Sequence, residues 1–277
     1  MNEIPFDYDF ERLIEAVAAG AITTENLPEQ LYLKIADYLQ KGLYEGYGGN
    51  LTDFPMYGTD HLLLKEMRRN IYMFSGAKTY QEVRQISGIL SEGKDVATFK
   101  EVREAAMRLL TTYSGRYLRT EYDTAIGQAQ NARKWNQFEA DKKYIKLLVY
   151  DAVIDANTSD ICRPLDGIKL PVDHPFWNKH APLNHFNCRC VLRVSVGNER
   201  QSSDARVQKA AAAIDPEMQD VFKMNPGKDK VVFSDKHPYF RVAAKDKSRK
   251  KDNFGLPRSE EHTSELQSRV DISYAVF

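Results

Sequence analysis

Apolar residues recur at three- and four-residue intervals through the first half of the chain, the rhythm of helices with one buried face. Leu13, Ile14 and Val17 set the first stripe, closed by Gly20. Thr24 or Asn26 can cap a second segment in which Leu31, Ile35, Tyr38 and Leu39 share a face, and the glycine-rich stretch 42–49 is expected to break it. A third segment opens at Thr59 or Asp60 and aligns Leu63, Met67, Ile71 and Phe74; a fourth covers residues 79–90 and ends near Gly93. The longest candidate runs from Thr98 to about residue 141 and carries Val102, Ala106, Leu109, Leu110, Tyr113, Tyr117 and Tyr122. Its two glycines, Gly115 and Gly127, each cost about 1 kcal/mol relative to alanine. All these stripes read as helix–helix core.

The pattern changes at Tyr144. Residues 144–150 are short, β-branched and aromatic, and 190–196 alternate as a half-buried strand does. Between them, residues 155–189 are rich in Pro, Asp, Asn and His. Loops beyond about 12–15 residues need their own organiser, so two antiparallel strands flanking a pinned loop are the simplest layout. Beyond Asn198 the pattern predicts a helix over 204–214, a short helix from Pro216, a short strand over 230–233 and a solvated basic loop over 245–251. The expected fold class is α+β and mainly helical, with one long helix followed by a small two- or three-stranded unit around a Cys/His loop. The expected division is a helical region 1–97, a domain 98–197, an extension 198–257 and a tail 258–277. The tail is set aside, because residues 258–268 and 272–277 resemble the translation of a common sequencing adapter. The natural sequence is accordingly expected to hold to about Pro257, where an assembly error cut it.

Composition narrows the function classes. Lys plus Arg and Asp plus Glu each number 39, so no global field draws the chain to nucleic acid or anionic lipid, and any DNA contact has to be local. No stretch approaches the roughly 20 apolar residues of a membrane span. Residues 1–9 lack the basic start and apolar run of a secretory signal, which makes the cytoplasm the expected compartment. Arg116, Arg119, Arg133 and Lys134 on the long helix are candidates for DNA or an acidic partner, and equally for ordinary solvated charge.

The candidate chemistry lies in the connector. All three cysteines fall between Cys162 and Cys190, a local cluster rather than a distributed disulfide framework. Cys162, His185, Cys188 and Cys190 offer the thiolate and imidazole donors that tetrahedral zinc prefers, with His174 or His180 as substitutes. A structural zinc ion is therefore a candidate cofactor, and its binding energy would become folding energy. Buried small thiols explain the same residues, because free Cys is commonly just buried. On an extended chain Cys188 and Cys190 share a face while Arg189 points away. His185 and Cys188 are close enough in sequence for a nucleophile pair, yet no motif supplies a third orienting group, and no catalytic residue is assigned. Asp166-Gly167 is a turn signal, with Gly167 expected at positive φ and Asp166 bonding the local backbone. Phe176 and Trp177 are expected to pack beneath the loop.

These residues together resemble a family. Asp160, Cys162, Leu165, Asp166, Gly167 and Trp177 are followed by Pro182, His185, Phe186, Asn187, Cys188, Arg189 and Cys190, which run into a strand. This is similar to the C-terminal signature of Mu F-like phage head morphogenesis proteins. The Arg119-Thr120-Glu121 helix start, with Ala125 after it, resembles the helix upstream of that signature. The likeness spans residues 98–196, and departs where many relatives carry Cys-x-x-Cys and this chain has Ser159 before Cys162. It implies a phage or prophage minor head protein that assists procapsid assembly and DNA packaging or delivery. Its implied partners are portal, capsid and scaffold proteins, with DNA a further candidate and no membrane. The implied location is the host cytoplasm during assembly, then the capsid interior or portal vertex. Two other readings stay open. One is the carrier part of a phage-derived toxin with its enzymatic module missing; the other is a zinc-stabilised nucleic-acid binder.

Overall fold

The computed structural model describes residues 3–92 and 98–258. Gly93, where a helix is expected to end, and the tail beyond Arg258 lie outside them. Five long helices come first: α1 (Phe10–Ala18), α2 (Glu29–Tyr47), α3 (Thr59–Glu92), α4 (Phe99–Thr111) and α5 (Leu118–Asp141). They are followed by three short strands, β1 (Leu148–Asp151), β2 (Lys169–Leu170) and β3 (Val191–Val194). The short helix α6 (Trp177–His180) lies between β2 and β3, and α7 (Asp204–Ile214), α8 (Pro226–Asp229) and α9 (Lys247–Lys251) complete the order. This is the mainly helical α+β class that the sequence implies. None of the described helices is long and apolar enough to cross a membrane.

The chain divides into two compact units that interleave along it. One takes Met1–Gln40, Arg68–Arg119 and Pro238–Phe277; the other takes Lys41–Met67 and Thr120–His237.

In the first unit, Asp9 caps α1 by accepting from Arg12 N at 2.9 Å, and Phe10, Leu13, Ile14 and Val17 are buried as the stripe predicts. Thr98 and Glu101 form a reciprocal capping box that starts α4, satisfying two otherwise orphaned donors. From there the chain stays helical to Asp141, interrupted only by a π-helical turn at Thr112–Tyr117. Such a turn displaces carbonyls from the regular ladder. The Tyr113 carbonyl accepts from Lys78 Nζ at 2.9 Å.

Lys78 belongs to a row that corrects the expected break between the third and fourth segments. Ser75, Lys78, Thr79, Gln81 and Glu82 are polar yet buried, and α3 runs unbroken through them. Their partners explain it. Gln81 Nε2 donates to the Tyr239 and Arg241 carbonyls at 3.0 and 2.8 Å, and Tyr80 Oη donates to Asp246 at 2.8 Å. Tyr80 also stacks on Phe254 with ring centroids 4.9 Å apart. The basic stretch expected to be a solvated loop folds instead into a 3-10 turn and α9. Arg249 from it donates to the Thr24 and Glu25 carbonyls, which gives the segment an anchor.

In the second unit, α2 continues through Gly42 and Gly46 rather than breaking there. These glycines permit close helix approach: a Cβ on Gly46 would lie 2.2 Å from the Ile126 carbonyl oxygen of α5. The strands form an antiparallel sheet in the order β2-β1-β3, with Leu148 opposite Leu170 and Val194, and Tyr150 opposite Leu192. Both long strands are shorter than expected. Residues 142–145 are spent turning out of α5, with Tyr144 N bonded to Asp141 O and Ile145 N to Lys142 O, so pairing starts at Leu148. Alternation places Leu148, Tyr150 and Leu192 in a core with Trp135, Phe138, Leu165, Ile168 and Trp177. The α7 helix has the predicted bounds and adds Val207, Ala210 and Ile214 to that core. No helix starts at Pro216, because Glu217 N and Met218 N both turn back to Ile214 O. No strand forms over 230–233 either; Val232 and Phe233 are buried in a bend after Lys230, whose φ of 57° is left-handed.

Two substitutions test the close approach. Gly46→Ala is expected to destabilise the protein by about 1–3 kcal/mol, the usual penalty for overpacking. Gly88→Ala, in a helix with nothing within 4 Å of the added methyl, is expected to stabilise by about 1 kcal/mol. Urea denaturation midpoints measure both, and equal behaviour of the two variants would contradict the packing described.

Candidate functional site

The connector between β1 and β3 is ordered by its own apolar core as well as by polar contacts. Leu165, Ile168, Leu170, Val172, Phe176 and Trp177 are all buried in it, so the loop is less short of hydrophobic support than its composition suggests. Trp177 is fully buried, as expected of a floor beneath the loop, and its Nε1 donates to the Pro171 carbonyl at 3.0 Å. Gly167 has φ 67°, the left-handed value expected at this turn. Asp166 does not bond its own turn: Oδ1 accepts from Ala152 N at 3.1 Å across the connector. Gly167 N also reaches back to the Tyr150 carbonyl at 2.8 Å. Both bonds tie the Leu-Asp-Gly turn to β1.

Over that base the two ends of the connector meet. Cys162 Sγ lies 3.2 Å from His185 Nε2 and 3.6 Å from Cys188 Sγ. The sulfurs of Cys162, Cys188 and Cys190 all lie within 4.8 Å of one another. All three cysteines are free and buried. The four residues singled out as donors are therefore brought together from two segments. His174 and His180 are not part of the group. His174 Nδ1 accepts from Phe176 N, and His180 Nε2 pairs with Asp215 at 2.8 Å.

Local backbone explains the meeting. Asn187 adopts φ 60°, and Cys188 N bonds to the His185 carbonyl, which curls the His185–Cys188 turn back on itself; asparagine tolerates that left-handed conformation better than most residues. Cys162 follows a turn in which Ser159 Oγ accepts from Cys162 N at 3.1 Å. Behind the sulfurs, Tyr150 Oη donates to Cys162 Sγ at 3.7 Å and accepts from Asn184 Nδ2 at 2.8 Å. Cys188 and Cys190 are buried while Arg189 between them is exposed, as alternation predicts. Phe186 packs edge-on against Phe222. Leu165 and Pro182 are buried, whereas Asp160 faces solvent.

The electrostatics favour one thiolate in this group. Hydrogen bonds from the Cys188 and Cys190 thiols, and then from His185, pull the Cys162 thiol well below its ordinary value. The same hydrogen bonds push Cys188 and Cys190 up, since they act as the donors. His185 is raised, first by its bond to Cys162. Burial pushes Tyr150 up, keeping it a neutral donor. Such a set can chelate a soft cation, hold a thiolate–imidazolium pair or close a disulfide. Nucleophilic catalysis is poorly served, because Cys162 is 1% exposed and covered by its own neighbours. A concavity of about 820 Å³ lies elsewhere, along Asp7, Arg12, Ala16, Pro28 and Lys34 of the first unit.

Outside the sulfur group, Arg189 grips Asp155 with two parallel bonds, Nη1–Oδ2 and Nη2–Oδ1, each 2.8 Å. This bidentate clamp joins the same two segments as the sulfurs, and the sequence pattern had not singled out Asp155. Of the cations considered for DNA, Arg133 is engaged, donating to the Tyr47 carbonyl at 2.6 Å and stacking over Phe54. Arg116 and Arg119 are exposed.

The second unit thus combines helices and a small three-stranded sheet with a connector whose two ends meet through thiols and one imidazole. Residues 81–193 match the model of the family described as Phage Mu protein F like protein. Over that stretch the chain is similar to the Mu F-like phage proteins, the likeness its connector motif implies. The match covers α4, α5, the sheet and the connector with its cysteines and His185. Neither the curated proteins nor the solved structures provide a match to the chain.

The clamp yields a prediction with a defined sign. The Arg189 guanidinium holds the Asp155 carboxyl down to about 2, below the ordinary value of about 3.9. A depressed carboxyl contributes in full above its unfolded value and loses the contribution as pH falls through the folded one. The clamp is thus expected to persist from neutral pH to about pH 4 and to open toward pH 2, read from the Asp155 carboxyl carbon by NMR. Arg189→Lys keeps the charge but not the fork. In that variant the carboxyl should titrate nearer its ordinary value, and an unchanged midpoint would remove the clamp from the account.

Proposed function

We propose that the protein is a minor head protein of a phage or prophage, assisting procapsid assembly and DNA packaging or delivery through contacts with portal and capsid proteins. The observation that carries this reading is the family match over residues 81–193, which includes the whole connector motif. Physical features support a docking role rather than a chemical one. The chain is neutral overall, so partner choice rests on local surface. The second unit exposes an apolar run after α2: Met56 is 64% exposed, Tyr57 86% and Leu62 49%. Contiguous exposed apolar residues mark interaction surfaces, and Met and Tyr are enriched in interface cores. Assembly takes place in the host cytoplasm, and the finished protein resides in the capsid interior or at the portal vertex.

The test is co-expression with phage portal and major capsid proteins. The protein should co-sediment with procapsids or portal rings, and a chain that stays at the top of the gradient in every combination would refute the assignment. Tyr57→Glu combined with Met56→Ser should cut the co-sedimenting fraction by about tenfold, the scale of losing an interface hot spot, with no change in the urea midpoint. Undiminished sedimentation would move the docking surface elsewhere.

A further inference from the structure

We propose that Cys162, His185, Cys188 and Cys190 form a metal site that takes one thiophilic divalent cation, zinc in the cell, in a tetrahedral three-sulfur, one-nitrogen set. The spacing of the donors carries the argument. Zn–S and Zn–N distances of about 2.3 and 2.0–2.1 Å place tetrahedral sulfurs about 3.8 Å apart, and sulfur and nitrogen about 3.6 Å apart. The pair separations found are 3.6 Å between the Cys162 and Cys188 sulfurs and 3.2 Å between Cys162 Sγ and His185 Nε2. The third sulfur, from Cys190, lies within 4.8 Å of the other two. The three sulfurs stand close enough to share one ion, and His185 Nε2, already against the Cys162 sulfur, needs only to turn toward the other two to complete the set.

The surroundings fit a ligand set better than a chance gathering of small apolar groups. His185 Nδ1 lies 2.7 Å from the Phe186 carbonyl oxygen. Donating a proton there fixes the tautomer whose Nε2 lone pair faces the sulfurs, the usual way a protein orients a metal-binding imidazole. Tyr150 Oη donates toward Cys162 Sγ and is itself fixed by Asn184. Ser159 is occupied with Cys162 N and is not needed as a ligand. A small void of about 20 Å³, lined by Thr158, Ser159, Cys162, His185, Asn187 and Cys190, reaches the donors from outside and provides an entry path. The ion would join residues 26 positions apart, adding a cross-link within the apolar core to which all three cysteines belong.

The full chain, produced with zinc in the medium and purified without chelator, should contain about one equivalent of zinc by plasma mass spectrometry, the stoichiometry of a single tetrahedral site. Replacement by cobalt under reducing conditions should give the ligand-field bands of tetrahedral cobalt and thiolate-to-cobalt charge transfer. His185→Ala and Cys190→Ser should each weaken cobalt affinity by about tenfold or more, whereas His174→Ala should leave it unchanged. Should the ligand variants fail to fold, release of zinc from the unaltered protein by a mercurial reagent, monitored with a chromogenic chelator, still decides the matter. The proposal is overturned by a folded, reduced chain that neither contains zinc nor binds cobalt stoichiometrically. It is equally overturned if the freshly isolated protein holds a Cys162–Cys188 disulfide, or if His174→Ala lowers affinity as much as His185→Ala.

Discussion

The second unit depends on bringing the two ends of one long connector together over a hydrophobic floor. Ordering that much backbone costs on the order of 1–2 kcal/mol per residue in entropy, and a polar surface loop has few ways to offset it. Here Leu165, Ile168, Phe176 and Trp177 supply buried apolar area beneath. Asp166 and Gly167 fasten the middle to β1. The mouth is closed by Cys162 against His185 and Cys188, with the Asp155–Arg189 fork outside. Each contact joins positions far apart in sequence, so the connector orders as a whole or scarcely at all.

The rest of that unit is arranged around this closure. Tyr150 serves the sheet, the core and the sulfur group at once, pairing with Leu192 along the backbone and donating its hydroxyl to Cys162. A residue with three such duties tolerates few replacements, because a phenylalanine would keep the packing and lose the donor. The same economy holds at His180 and Asp215, which fasten α6 to the end of α7. Burial raises the Asp215 carboxyl, but hydrogen bonds from Lys179 and His180 outweigh it and hold it below its ordinary value. The connector, its short helix and the following helix are thus fastened into one continuous piece.

Much of this was legible in the sequence, for identifiable reasons. Apolar spacing located α1, α7 and the long run from Phe99 to Asp141, because one face of each is simply buried. The convergence of Cys162, His185, Cys188 and Cys190 was legible because so few residue types gather in a polar loop without shared chemistry. What escaped was set by distant partners. Ser75 and Lys78 fall between two segments of the apolar pattern and Gln81 in the second of them, yet all three are interior, and Tyr239 and Arg241 arrive from some 160 positions away to accept from Gln81. Gly42 and Gly46 looked like breakers, and only the approach of α5 shows why glycine is required. Asp155 attracted no notice, since nothing local announces that an arginine 34 residues later will grip it.

The interleaving of the two units bears on the order in which the chain matures. Residues 41–67 and 120–237 can complete their own unit before residues 238–258 leave the ribosome. The other unit cannot, because α3 offers Tyr80 and Gln81 to residues 239–246 and Arg249 must reach back to Thr24 and Glu25. During translation its buried polar row therefore waits, open to water, for a strap made some 160 residues later. The unit with the thiol connector is thus the earlier of the two to have all of its segments in hand.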